Sequence, residues 1–166
     1  MMKFPNLKNP FHLAATLGGI GLVPIAPGTV GSVVAWLIFV YLSHFISLIN
    51  MIILTISFCF LSIWICNQAS KNLENKDHKS IVIDELVGMW IALLPVLFIA
   101  NSQSERTVYA LAALIFFRLF DILKPFPISY FDKNCKNGFG IVIDDVISGL
   151  IAIIPSYIIL VLLSLI

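Results

Sequence analysis

The sequence predicts an all-α fold: a polytopic membrane bundle of about four to five embedded helices behind an irregular N-terminal segment. Three observations carry this. Of 166 residues, 60% are hydrophobic and only 11% are charged, with a mean hydropathy of +1.02; a soluble chain carries about 25% charged residues. The apolar residues gather into five runs, the longest matching the roughly 20 residues that cross a bilayer. The lysines fall between those runs in a one-sided pattern, as the positive-inside tendency requires of membrane helices.

Taken in order, residues 1–29 open the chain. A short basic stretch precedes residues 13–25, but Gly18, Gly19, Gly21 and Pro24 interrupt them, and Pro27 follows. A cleaved signal needs a continuous apolar stretch and a small-residue cleavage site, so this segment is expected to be retained and partly irregular. The runs at 30–46, 48–66, 86–100, 107–120 and 146–166 are the expected helices. The second and fifth are full length, and the third and fourth are short. The connector 127–140 is polar, glycine-containing and aromatic, which suits the headgroup level. No linker separates two units, so residues 1–166 form a single domain. Cys59, Cys66 and Cys135 are odd in number and spaced for neither a disulfide framework nor a zinc site. The net charge of +1 leaves no basic stripe for phosphates of DNA or RNA, so no nucleic-acid partner is expected.

With a cytoplasmic N-terminus and five crossings, Lys3, Lys8, Lys71, Lys76, Lys79, Lys124, Lys133 and Lys136 lie on the cytoplasmic side and Arg106 on the other. Asp84, Glu85, Asp121, Asp132, Asp144 and Asp145 then reach the same cytoplasmic face.

Those acids form a pattern. Ile81-Val82-Ile83-Asp84-Glu85 precedes one apolar run, and Ile141-Val142-Ile143-Asp144-Asp145 precedes another, at a spacing of 60. The copies also share Ile91/Ile151, Ala92/Ala152 and Pro95/Pro155, and they point into the membrane in the same direction. Ionised acids beside lipid-length runs are costly unless a cation binds them. Capping explains one acid per helix, but not two at both mouths. Oxygen-only ligands favour Mg²⁺ or Mn²⁺ over zinc, so Asp84, Glu85, Asp144 and Asp145 are the expected metal ligands.

Two further constellations join them. Arg118, Asp121 and Lys124 are three apart, which puts them in one band of a helix that Pro125 and Pro127 terminate. Two cations bracketing an acid form a phosphate clamp with a metal or water ligand. The stretch from Pro27 through Gly28, Thr29 and Gly31 to Ser32 is a turn at a helix start, where glycine-flanked amides bind anions. Without a Gly-Lys-Ser/Thr it is no nucleotide loop.

At Asn9-Pro10-Phe11-His12-Leu13, Ala26-Pro27-Gly28-Thr29-Val30-Gly31-Ser32, Ile83-Asp84-Glu85-Leu86-Val87-Gly88, and residues 117–127 and 138–149, the chain resembles the phosphatidylglycerophosphatase A family of bacterial inner membranes. The resemblance implies an all-helical, Mg²⁺-dependent lipid phosphatase that converts phosphatidylglycerophosphate to phosphatidylglycerol at the cytoplasmic surface. Under that expectation Asp84, Glu85, Asp144 and Asp145 hold Mg²⁺. Asp121 completes the metal shell or acts as base, and Arg118 and Lys124 stabilise equatorial phosphate oxygens. Pro27, Gly28, Thr29, Gly31 and Ser32 support the phosphate or glycerol. Metal-activated water and an aspartyl-phosphate both remain open.

Three rival classes are weaker, and one of them, a structural membrane subunit, would not explain the convergent charges. A CDP-alcohol phosphotransferase also uses clustered acids and Mg²⁺, but its spacing of aspartates, glycines and an arginine is absent. A cation or proton transporter places its acids near the midplane, often in inverted repeats, whereas these acids stand at helix mouths in a parallel repeat.

Overall fold

The computed structural model describes residues 4–73, 76, 78–135 and 137–164. Among these the regular elements are all helical. Helix α1 (Pro10–Ala15) is opened by Asn9, whose side chain accepts from the Phe11 amide at 2.9 Å, with Pro10 in the first turn. Leu17, Gly18 and Gly19 then take left-handed backbone angles and turn the chain into a 3-10 turn, Ile20–Leu22. Ala26, again left-handed at φ 49°, delivers the chain into α2 (Pro27–Leu42). The N-terminal segment is therefore irregular with two short helical pieces in it.

The remaining helices are α3 (Leu48–Ala69), α4 (Ile83–Leu93), the single turn α5 (Val96–Ile99), α6 (Gln103–Leu123), α7 (Ile128–Asn134) and α8 (Gly138–Ser164). Two of them, over Leu48–Ala69 and Gly138–Leu163, are long and apolar enough to cross a bilayer. The other expected spans differ from that standard in identifiable ways. Helix α2 is apolar but short. The run 86–100 is divided at Pro95, which has no amide to continue the ladder. Helix α6 outgrows its predicted run at both ends, but it does so by adding Glu105, Arg106 and Asp121. Helix α8 starts at Gly138, well before residue 146, so Asp144 and Asp145 stand two turns inside a helix rather than at its mouth. Asp84 and Glu85 do sit in the first turn of α4.

Helix α4 is the centre of the bundle. Every residue of it except Ile91 is buried, and α2, α3, α6 and α8 pack around it. The buried aromatics bind across the helices through their polar tips. Trp90 Nε1 donates to Ala35 O at 3.0 Å, Trp36 Nε1 to Ala110 O at 2.9 Å, and Tyr109 OH to Ala92 O at 3.1 Å. Unmet donors in so apolar an interior would cost several kcal/mol (roughly 2–7) each.

The order of contacts sets the directions. Gly28 meets Glu85 and Ala35 meets Trp90, so α2 and α4 run the same way. Gly88 meets Phe117 while Ala92 meets Tyr109, so α6 runs the opposite way. One end of the bundle thus collects the starts of α2 and α4 and the finish of α6.

Candidate metal and phosphate site

At that end, side chains from four helices converge. Asp84 and Glu85 come from α4 and Asp145 from α8; all three are buried, and each offers an oxygen within 4.8 Å of the others. Two glycines allow this approach. A Cβ on Gly88 would lie 2.5 Å from Asp145 O, and one on Gly149 would lie 2.3 Å from Gly88 O. These contacts are to backbone, which cannot swing aside, so α4 and α8 cross where neither carries a side chain. Each glycine stands four residues beyond its acid, Asp84 to Gly88 and Asp145 to Gly149, one helical turn below it.

Asp121 and Arg118 arrive from the last turns of α6. The guanidinium Nη1 donates to Asp121 Oδ2 and, at 3.3 Å, to Ser32 Oγ, and it lies 4.0 Å from Glu85 Oε1. Asp121 also lies beside Asp145. The start of α2 closes the cluster. A Cβ on Gly28 would fall 2.4 Å from Glu85 Oε1 and 3.2 Å from Arg118 Nη2, so a larger residue there would displace the ends of both side chains. Ser32 Oγ donates back to Gly28 O at 2.9 Å. Pro27 and Thr29 lie in the same first turn, half-buried, where helix amides have no partner within the helix. Gly31 faces elsewhere: it packs against Val82, 3.0 Å from the Cβ position.

Lys124 and Asp144 stand apart from this group. Lys124 caps α6 in a left-handed conformation, φ 43°. Its Nζ donates to Asp132 Oδ1 and Asp144 Oδ2, both at 2.6 Å. Burial alone would lower its pKa, but the two carboxylates outweigh burial and hold it above the ordinary lysine range. The expected Arg118–Asp121–Lys124 band is thus divided. Its first two members join Asp84, Glu85 and Asp145, while the third turns to α7 and α8. Asp132, placed by the sequence only on the membrane surface, is the second partner of Lys124. Gly88 and Gly149 were legible as an Asp-x-x-x-Gly spacing occurring twice.

The donor set fits a hard divalent cation. Four carboxylates face one guanidinium, and Glu85 Oε2 and Asp145 Oδ2 are buried without a hydrogen-bond partner. Bare carboxylate oxygens in an apolar interior are unstable as anions without a cation. All donors are oxygens, which suits Mg²⁺ or Mn²⁺. Arg118 Nε, also buried and without a hydrogen-bond partner, is a donor beside them.

A family model described as phosphatidylglycerophosphatase A matches residues 13–160. The chain is 41% identical over 157 residues to the phosphatidylglycerophosphatase A of Haemophilus influenzae, covering 94% of this chain and 92% of that protein. It is 38% identical over 149 residues to the Escherichia coli protein of the same name, covering 89% of this chain and 81% of that one. No solved structure matches.

Proposed function

The chain belongs to the phosphatidylglycerophosphatase A family, and from that membership we propose that it hydrolyses the terminal phosphate of phosphatidylglycerophosphate to give phosphatidylglycerol, using Mg²⁺, at the cytoplasmic face of a bacterial inner membrane. The observation that carries the chemistry is the buried oxygen cluster of Asp84, Glu85 and Asp145 beside Arg118. Two long apolar helices and the one-sided lysines support the membrane setting.

Asp84, Glu85 and Asp145 would hold the cation. When bound, it neutralises phosphate charge and lowers the pKa of water at the site. Arg118 is anchored by Asp121 and Ser32 through Nη1, which leaves Nε to donate to an equatorial phosphate oxygen as charge develops there. Asp121, paired with Arg118, would complete the metal shell or accept the proton of the attacking water. The amides at the start of α2 would take a second phosphate or glycerol oxygen, with Gly28 giving the ligand close access. Lys124 serves differently: bound to Asp132 and Asp144, it fixes the rotation of α8 that presents Asp145.

Phosphate release from phosphatidylglycerophosphate by the purified protein in detergent tests the reading. Release with Mg²⁺ that stops in EDTA is expected. Absence of release with any divalent cation would sink it.

A further inference from the structure

On the far side of α4 from the acids, α1 and α3 enclose a second concavity. Its inner half is apolar: Leu13, Ala14 and Leu17 face Phe58, Leu61 and Ile65 across a groove of about 410 Å³. Its outer half is polar: Asn9 and His12 face Gln68 and Asn72 around a cavity of about 550 Å³. On α3 the lining positions 58, 61, 65, 68 and 69 recur at three- and four-residue intervals, so they form one stripe on one face of the helix. The two hollows are therefore the two halves of one seam.

The seam has the dimensions and polarity of a lipid in one leaflet. The apolar stretch from Phe58 to Ile65 rises about 10 Å at 1.5 Å per residue, which fits within the about 15 Å of half of a bilayer's hydrocarbon core, and the polar stretch beyond it continues toward the headgroup level. The polar half lies toward the same bundle end as the acids, since Asn67, beside Gln68, accepts the amide of Gly138 at the start of α8. It is nevertheless a separate place. Ile83 faces the seam, whereas Asp84 and Glu85, at about 100° per residue, turn about 100° and 160° away from it on α4.

The rim is suited to an anion. Among the described residues, no acidic side chain lines either hollow. Lys8 and Lys71, both exposed, are chain neighbours of the lining residues Asn9 and Asn72, and neither makes an ion pair among the described residues. His12 Nδ1 accepts from the Asn6 amide at 3.1 Å, so the neutral ring carries its proton on Nε2 and is a donor. Burial lowers the His12 pKa and favours that neutral form.

We propose that the α1–α3 seam binds one anionic glycerophospholipid of the leaflet that faces the acid cluster, with an acyl chain along Phe58, Leu61 and Ile65 and its headgroup against Asn9, His12, Gln68 and Asn72. The proposal rests on the membrane embedding proposed above and not on the reaction.

The test uses the full chain, delipidated in neutral detergent and titrated with phosphatidylglycerol or phosphatidylcholine, with bound lipid counted by native mass spectrometry. One phosphatidylglycerol is expected to be retained about fivefold more tightly than phosphatidylcholine, since opposite charges at a partly exposed rim are worth about 1 kcal/mol. Leu61→Trp, which fills the apolar half, and Asn72→Asp, which adds a like charge on an exposed turn, should each weaken retention about fivefold or more. Arg118→Ala should leave it unchanged. Equal retention of the two lipids, undiminished retention in Asn72→Asp, or loss confined to Arg118→Ala would overturn the proposal. Because no turnover is read, this outcome is independent of the phosphatase assay.

Discussion

Lys124 holds Asp144 through a 2.6 Å ion pair, and in doing so it separates two adjacent acids into different roles. On a helix, neighbours point about 100° apart. With Asp144 fixed on Lys124, Asp145 is turned toward Asp84 and Glu85. Asp144 Oδ1 also accepts from the Asp145 amide at 3.2 Å, which stiffens the same turn.

Asp145→Asn should therefore be far more damaging than Asp144→Asn. Loss of a cation ligand is worth several kcal/mol, about a thousandfold or more in kcat. Loss of an orienting neighbour costs about 10–100-fold. Steady-state phosphate release from both variants, at matched folded protein, checks the ranking. Equal losses would place both acids in the same role.

Binding of the cation should be visible without turnover. Mg²⁺ at about a hundred times its Kd stabilises a folded protein by about 2.7 kcal/mol. The wild type should show a Mg²⁺-dependent rise in Tm that EDTA reverses, and Asp145→Asn should show little or none. An undiminished shift in the variant would move the ion elsewhere.

Gly88→Ala should lose both stability and activity. Its new methyl would meet the Asp145 carbonyl oxygen at 2.5 Å, an overpacking that costs about 1–3 kcal/mol and pushes α8 and Asp145 away from α4. Gly18→Ala is the contrast: nothing lies within 4 Å, but φ is +71°, so a backbone cost of about 1–2 kcal/mol is expected without an effect at the site. Comparing kcat at equal folded fraction separates the two.

Arg118→Lys should not substitute. Lysine supplies a point charge but cannot reach Asp121 and Ser32 through one nitrogen while offering another to phosphate. A fall in kcat of about tenfold or more is expected, with membrane insertion unchanged.

Lys124→Met should lower Tm by an amount that is constant between about pH 6 and pH 9. A lysine whose folded pKa is raised contributes stability that is fully present below its unfolded pKa of about 10.4 and is lost only as pH rises through the folded value. The carboxylate-held Lys124 therefore titrates above this window. A difference that faded toward pH 9 would mean that the ammonium is not held by Asp132 and Asp144.

By itself the sequence determined the class of molecule and the chemistry available to it. Sixty per cent hydrophobic residues, five apolar runs and a glycine- and proline-broken start are local properties, and they survive as helices behind an irregular N-terminal segment. The acids and Arg118 were legible because charged groups beside apolar runs are costly and so stand out, and Pro27–Ser32 because proline and glycine before an apolar run mark a helix start. Tertiary structure decided which of them meet. Pro95 breaks one run, and α8 begins early at Gly138, where Asn67 Oδ1 accepts the Gly138 amide at 2.7 Å. That early start moves Asp144 and Asp145 from a helix mouth to its interior. Rotation about α8 then assigns Asp145 to the cluster and Asp144 to Lys124, while the Gly88–Gly149 crossing sets how closely α4 and α8 approach. Rotation and crossing distance are relations between helices remote in the chain, so they follow from how the helices pack rather than from any one stretch.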